Sequence, residues 1–336
     1  MGLKTLSEVR WGIIGVGDVC ERKSAPAMSK IKNSSLVAVM RRNAEKAKDF
    51  ASRHNVPRWY ADADELINDP EVNTVYIATP PHVHLDYTRR AAAAGKAVYV
   101  EKPMARNYME CQAMVELCEE AGVPLFVAYY RRMLPNILKI RSLLKEGAIG
   151  DIRLVDVKII KPLEPDIVGA SRDSANWRIY PEISGGGYFF DLASHQLDVL
   201  DYLFGPVLEA QGYAHNQAGV YPAEDIVAGT FHFETGVIGL GTWCFNASET
   251  SDCEATTIVG SKGQIKFNYF ADHSVVLEIY GRKTERLTFE IPYHIQQPLI
   301  QAIVNELLGK GKCPSTGVTA ARTGKVMDML CRRIEM

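Results

Sequence analysis

Three short groups of residues carry the plainest chemical potential in this chain. Glu101-Lys102-Pro103 sets an amine beside a carboxylate, Asp191 and His195 stand four apart, and Gly15-Val16-Gly17-Asp18-Val19-Cys20 reads G-x-G-x-x-C. A partly buried lysine, or a histidine beside a carboxylate, can pass a proton near neutral pH. Residues four apart share one face of a helix, so Asp191 could fix the tautomer of His195. The glycine run suits a dinucleotide: Gly15 permits a tight turn, Gly17 lets the backbone approach a pyrophosphate, and Cys20 is compact where helix and strand must pack. The N–H groups of Val16, Gly17, Asp18 and Val19, with the helix dipole, favour anionic oxygens. Residue types alone leave alternatives open. Most lysines are simply solvated, glycines serve any tight turn, and an Asp/His pair also suits a metal.

The end of the next strand, Met40-Arg41-Arg42-Asn43, bears on which dinucleotide is meant. An acid commonly holds the ribose 2′-OH at that place, whereas Arg41 and Arg42 suit a 2′-phosphate through bidentate bonds. NADP is therefore the expected cofactor, with NAD possible. The arginines read equally as solvated charges at a helix start. No metal is expected, because neither Asp191/His195 nor His82-x-His84 has a third ligand at telling spacing.

These residues need elements to hold them. Apolar runs at Val9–Ile14, 36–40, 74–78, Ala97–Val100 and 124–128 read as strands buried on both faces, alternating with helical patterns at 20–29, 44–54, 83–94 and 109–121. Such repeated strand–helix units predict a parallel, doubly wound Rossmann sheet over residues 1–129. Beyond Tyr129 a helical pattern at 134–146 gives way to strand-like segments at 152–160, 207–213, Ile226–Phe233, 237–245, 255–259 and 275–280. That run predicts an α/β second domain over 130–336 with a large, mostly antiparallel open sheet, covered on one face by a helix at 189–204. Helical patterns at 298–308 and 318–333 close the chain, and the final helix is expected to pack back on the first domain.

At 336 residues, two domains are expected. A net charge of −2 with dispersed Lys and Arg gives no footprint for nucleic acid or an anionic membrane. No apolar run is long enough to span a bilayer. The polar stretch Met1–Arg10 lacks the apolar core of a signal peptide, and seven scattered cysteines contain no Cys-x-x-Cys pair. A cytoplasmic protein with reduced thiols is expected.

Glu101-Lys102-Pro103, Ala78-Thr79-Pro80-Pro81-His82-Val83-His84 and Gly185-Gly186-Gly187 followed by Asp191-Leu192-Ala193-Ser194-His195 together resemble the glucose–fructose oxidoreductase/inositol dehydrogenase family. The resemblance runs from Arg10-Trp11-Gly12 to about Ile334. It implies an active site in the crevice between the two domains and hydride transfer between NAD(P) and a carbon bearing a hydroxyl or carbonyl, most often in sugars and polyols. It also implies that Lys102 is the principal catalytic group, with a cis peptide at Pro103, and that His195 with Asp191 forms a second acid/base pair. Thr79, Pro80, His84 and Glu101 would touch the cofactor, although His84 reads equally as a first-turn helix residue and Glu101 as a local cap. Tyr130, Arg131, Trp177 and Arg178, with Asp191 and His195, would meet the substrate. Relatives carry Asn where this chain has Tyr130, so the pocket should differ. A homodimer or homotetramer is implied as well. Other readings are a redox-assisted, NAD-dependent glycosidase and a non-catalytic NADP(H) sensor.

Overall fold

The computed structural model describes residues 5–163 and 176–334; the Met1-Gly2 start of the chain lies outside them. The chain divides into two compact units, Met1–Tyr130 with Pro292–Ala321, and Arg131–Ile291 with Arg322–Met336. The expected second domain at 130–336 is therefore not one unit. The reason is local. The helix Gln297–Leu307 needs cover for Leu299, Ile300, Ile303 and Val304, all fully buried, and it packs against the helix Ala25–Lys30. Farther on, Ser315 Oγ donates to the Val127 carbonyl at 2.8 Å and Ser315 O accepts from Val127 N–H at 3.2 Å.

The first unit holds β1 (Val9–Ile14), β2 (Ser34–Met40), β3 (Arg58–Tyr60), β4 (Thr74–Ile77), β5 (Ala97–Val100) and β6 (Leu125–Val127). All pairings are parallel and the order is β3-β2-β1-β4-β5-β6. This is the doubly wound order, and winding reverses between β1 and β4. Every residue of β4 and β5 is buried, as two covered faces require. The ladder sets the carboxyl ends side by side: Ala78 N–H donates to Ile14 O and Glu101 N–H to Ile77 O, both at 2.9 Å. The segments after β1, β4 and β5 therefore emerge at one edge. β3 and the helix Ala63–Asn68 have no counterpart in the sequence reading, because three and six residues are too few to show a period.

The second unit is built on β7 (Ile152–Pro162), β8 (Val207–His215), β9 (Ile226–Phe233), β10 (Ile238–Ala247), β11 (Cys253–Gly260), β12 (Gly263–Phe267), β13 (Val275–Ile279) and β14 (Glu285–Leu287). Their order is β14-β13-β12-β11-β7-β10-β9-β8. β7 and β10 run parallel and the other neighbours antiparallel. Burial alternates along β7 and β10, so one face carries the core through Val155, Val157, Trp243 and Phe245. A helix over 187–204 lies on that face. Trp243 fixes it there, with its indole edge against Phe189 at 5.1 Å and its N–H donating to Gln196 Oε1 at 2.7 Å.

Candidate active-site residues in the two units

The glycine turn follows β1 directly. Gly15 sits at φ +91°, and a Cβ there would lie 2.6 Å from Thr79 Cγ2 and 3.0 Å from the Ala78 carbonyl. Only glycine fits so close to the segment after β4. At Gly17 a Cβ would meet nothing nearer than 3.9 Å, so the space above this backbone is open, as close approach of a pyrophosphate needs. Asp18 and Val19 begin a helix over 18–30 that widens into a π turn at Cys20–Ser24. Cys20 is fully buried and burial pushes its thiol up to about 12, so it fills space and is not a nucleophile.

The two arginines after β2 differ. Arg41 is half-buried and its Nη1 donates to the Val16 carbonyl at 3.1 Å, bracing the turn. Arg42 is exposed, and its charge, with that of Arg106, adds to partial burial in lowering the pKa of His82. Asn43 caps the helix Ala44–Arg53 by accepting from Lys46 N–H at 3.0 Å. Among the described residues directly after β2, Arg41, Arg42 and Asn43, none is acidic.

After β4, Thr79 and Pro80 are half-buried, and Thr79 Oγ1 has no hydrogen-bond partner among the described residues. An orphaned hydroxyl at the switch point fits a bound polar ligand. His84, read from sequence either as a cofactor contact or as a first-turn helix residue, opens the helix His84–Ala93. It is fully buried, with Nδ1 at 3.1 Å from the Met104 carbonyl and Nε2 at 2.7 Å from the Thr79 carbonyl. Burial lowers its pKa. Both nitrogens face carbonyls of these two loops, and a neutral imidazole donates its single N–H to one of them.

After β5, the Lys102–Pro103 peptide is cis and Lys102 is half-buried. Glu101 serves the local structure. Its Oε1 accepts from Tyr76 Oη at 2.5 Å and from Gln296 Nε2 at 2.7 Å, and its Oε2 accepts from Lys102 N–H at 3.1 Å. Gln296 Oε1 in turn accepts from Tyr99 Oη at 2.9 Å. No motif in the sequence marks the tyrosines or Gln296. The tyrosines look like ordinary strand residues, and Gln296 lies 195 positions from Glu101.

In the second unit, Arg178 brings two expected substrate residues together. Its Nε donates to Asp191 Oδ2 at 3.1 Å, and its guanidinium lies 4.7 Å from the Trp177 ring centre. Asp191 belongs to a π turn, Phe189–Ala193, that opens the helix carrying His195. Its carboxylate therefore has an arginine partner that spacing did not suggest. His195 is nearly fully buried and meets the edge of Phe270 at 6.1 Å, and Arg131 lies 4.3 Å from the centre of the same ring. Arg131 also donates to the Tyr269 carbonyl. Phe270 is thus a contact of both predicted residues that no motif marked. Tyr130 is buried and belongs to the first unit, as does Lys102, whereas Arg131, Asp191 and His195 belong to the second.

Two family models match segments of these units. One described as an oxidoreductase family with an NAD-binding Rossmann fold matches residues 9–129, and one described as the GFO/IDH/MocA C-terminal domain matches residues 137–266. Oxidoreductase P35 of Formosa agariphila is 41% identical over 327 residues, spanning 97% of this chain and 99% of that protein. Trans-1,2-dihydrobenzene-1,2-diol dehydrogenase of Mus musculus is 31% identical over 262 residues, spanning 76% of this chain and 73% of that protein. In fold, the chain matches the solved levoglucosan dehydrogenase complex with NADH and levoglucosan, with a TM-score of 0.86 over 96% of each chain at 22% identity. The chain therefore belongs to the GFO/IDH/MocA family of NAD-binding oxidoreductases.

Proposed function

We propose that this oxidoreductase uses NADP in preference to NAD and acts on a sugar, polyol or related hydroxyl or carbonyl compound, with Lys102 as its proton-transfer group. The observation that carries this reading is the alignment of strand ends. The Gly15–Gly17 turn, Thr79 and Glu101-Lys102 leave β1, β4 and β5 at one edge, where open α/β sheets bind ligands. The names of relatives agree in kind: besides the diol dehydrogenase, 1,5-anhydro-D-fructose reductase of Ensifer adhaerens is 29% identical over 231 residues.

Gly15, Val16 and Gly17 would hold the pyrophosphate, Arg42 a 2′-phosphate, and Thr79 a polar group of the nucleoside. When bound, the nicotinamide supplies or accepts the hydride. The Lys102 ammonium gives a proton to the substrate oxygen during reduction, and the free amine takes it back during oxidation. Arg178, Asp191 and His195 are assigned to the hydroxyl-bearing substrate, with His195 as the second proton carrier and Trp177 as a stacking face. Cys20, Cys118, Cys244, Cys253 and Cys331 are free thiols, which supports work in a reducing, cytoplasmic setting. Ile238 and Leu240 are exposed on the sheet face opposite the core, which supports a homodimer through that face.

The test is turnover across a panel of keto-sugars and osones with NADPH, and of aldoses and polyols with NADP. At least one compound should be turned over, and Lys102→Met should lower kcat by roughly a thousandfold or more, at the upper part of what acid–base catalysis supplies. Cofactor affinity should stay within a few fold. A Lys102→Met enzyme with near wild-type kcat would end the assignment.

A further inference from the structure

The first unit carries a brace beneath the Glu101–Lys102 turn, supplied by a segment distant in sequence. His294 is nearly fully buried and Gln296 fully so. The Gln296 side chain donates to Glu101 Oε1 and accepts from Tyr99 Oη, while its backbone N–H donates to the Lys23 carbonyl at 3.3 Å. Two residues earlier, His294 Nδ1 lies 2.6 Å from the Arg22 carbonyl and Nε2 lies 2.7 Å from Lys30 Nζ. A lysine ammonium can only donate, so Nε2 is the acceptor and Nδ1 carries the hydrogen.

Arg22 and Lys23 both lie in the π turn Cys20–Ser24. A π turn bonds i to i+5 and takes carbonyls out of the ordinary helical ladder. The carbonyls of Arg22 and Lys23 accept from His294 Nδ1–H and Gln296 N–H. One segment thus grips the helix that starts at the glycine turn and, through Gln296, the carboxylate that holds the Lys102 amide. We propose that Gln296 is a positioning residue for Lys102, and that His294–Gln296 locks the dinucleotide turn and the lysine into one fixed relation. This rests on the hydride-transfer reading above. Without the Gln296 amide, Glu101 keeps Tyr76 but loses one of two donors on Oε1, so its hold on Lys102 N–H slackens while the glycine turn is untouched.

The experiment compares Gln296→Leu with wild type by amide hydrogen exchange at Lys102, NADPH titration and steady-state kinetics on the best panel substrate. Lys102 exchange should quicken at least tenfold and kcat fall at least tenfold, with KM and the NADPH Kd within threefold. A role confined to stability would move Tm alone. Tyr99→Phe removes only the second bond to Gln296, so it should show the same pattern more weakly; it replaces Gln296→Leu should that variant not fold. If either Lys102 exchange or kcat stays within twofold of wild type in the folded variant, the proposal is overturned. Should wild type turn over nothing in the panel, the hydride-transfer reading fails, and Lys102 exchange alone decides the positioning claim.

Discussion

Arg41 and Arg42 are neighbours in sequence with separate duties. Arg41 braces the glycine turn through the Val16 carbonyl, and Arg42 stands exposed after β2. Charge-assisted hydrogen bonds contribute roughly 1.5–3 kcal/mol each, or about ten- to a hundredfold in affinity. Fluorescence titration of Arg42→Asp should therefore show NADPH binding weakened at least tenfold relative to NADH. Arg41→Ala should weaken both cofactors together. A parallel loss of both in Arg42→Asp would refute the 2′-phosphate role. The tight glycine turn after β1 was legible from sequence, because its backbone demand, φ +91° at Gly15, is written in residue type. What the side chains touch was not legible. His84 turns both nitrogens to backbone carbonyls, and Asp191 pairs with Arg178, since such partners are set by how loops meet.

At the scale of elements, the second unit's helix over 187–204 is held by charge as well as by Trp243. Arg132 is almost wholly buried and bonds Asp198 at 2.8 and 2.7 Å; Asp201, 3.3 Å away, is also bound by Arg322 at 2.7 and 2.8 Å. Burial pushes the Asp198 carboxyl up, to about 7 even with Arg132 beside it. A folded-state pKa above the unfolded value gives stability that is complete below the unfolded pKa and is lost as pH rises through the folded one. Arg132→Met strands this carboxylate, and breaking a buried pair costs about 3–5 kcal/mol. Urea unfolding should show a deficit of that size at pH 8 and a smaller one at pH 5, where Asp198 is protonated. An equal deficit at both would show that lost packing is the cause. The sequence reading finds the long elements here because their periods run over many residues. It misses β12, which grows straight out of the Ser261-Lys262 turn, and β14, three residues long. Arg132 looks like one more surface arginine, since burial of a charge leaves no mark on local pattern.

At the scale of the whole molecule, the sheet of the second unit shows two unlike faces. Trp243 and Phe245 of β10 are buried in the core, while Ile238 and Leu240 are 44% and 40% exposed and Leu208 of β8 is 52% exposed. Exposed apolar side chains on a broad sheet favour a self-complementary contact. Sedimentation at micromolar concentration should give a dimer or a larger closed assembly, and Leu240→Glu should shift it toward monomer; a monomeric wild-type protein would refute this. The family's doubly wound sheet was legible from alternating strand and helix patterns. A return to the first unit was expected of the final helix, but Pro292–Ala321 makes it while Arg322–Met336 stays with the second unit, because a helical period says which face is apolar and nothing about which partner covers it. Hydride transfer to a sugar-like carbonyl would carry the hydrogen of nicotinamide C4 into the product, so isotope transfer is its sharpest test. NADPH deuterated at one or the other face of nicotinamide C4 is incubated with the protein and the keto-sugar panel, and products are read by mass spectrometry and NMR. One deuterium should appear on the new carbinol carbon, from one face only. Oxidation of NADPH with no deuterium in any carbohydrate product would contradict it.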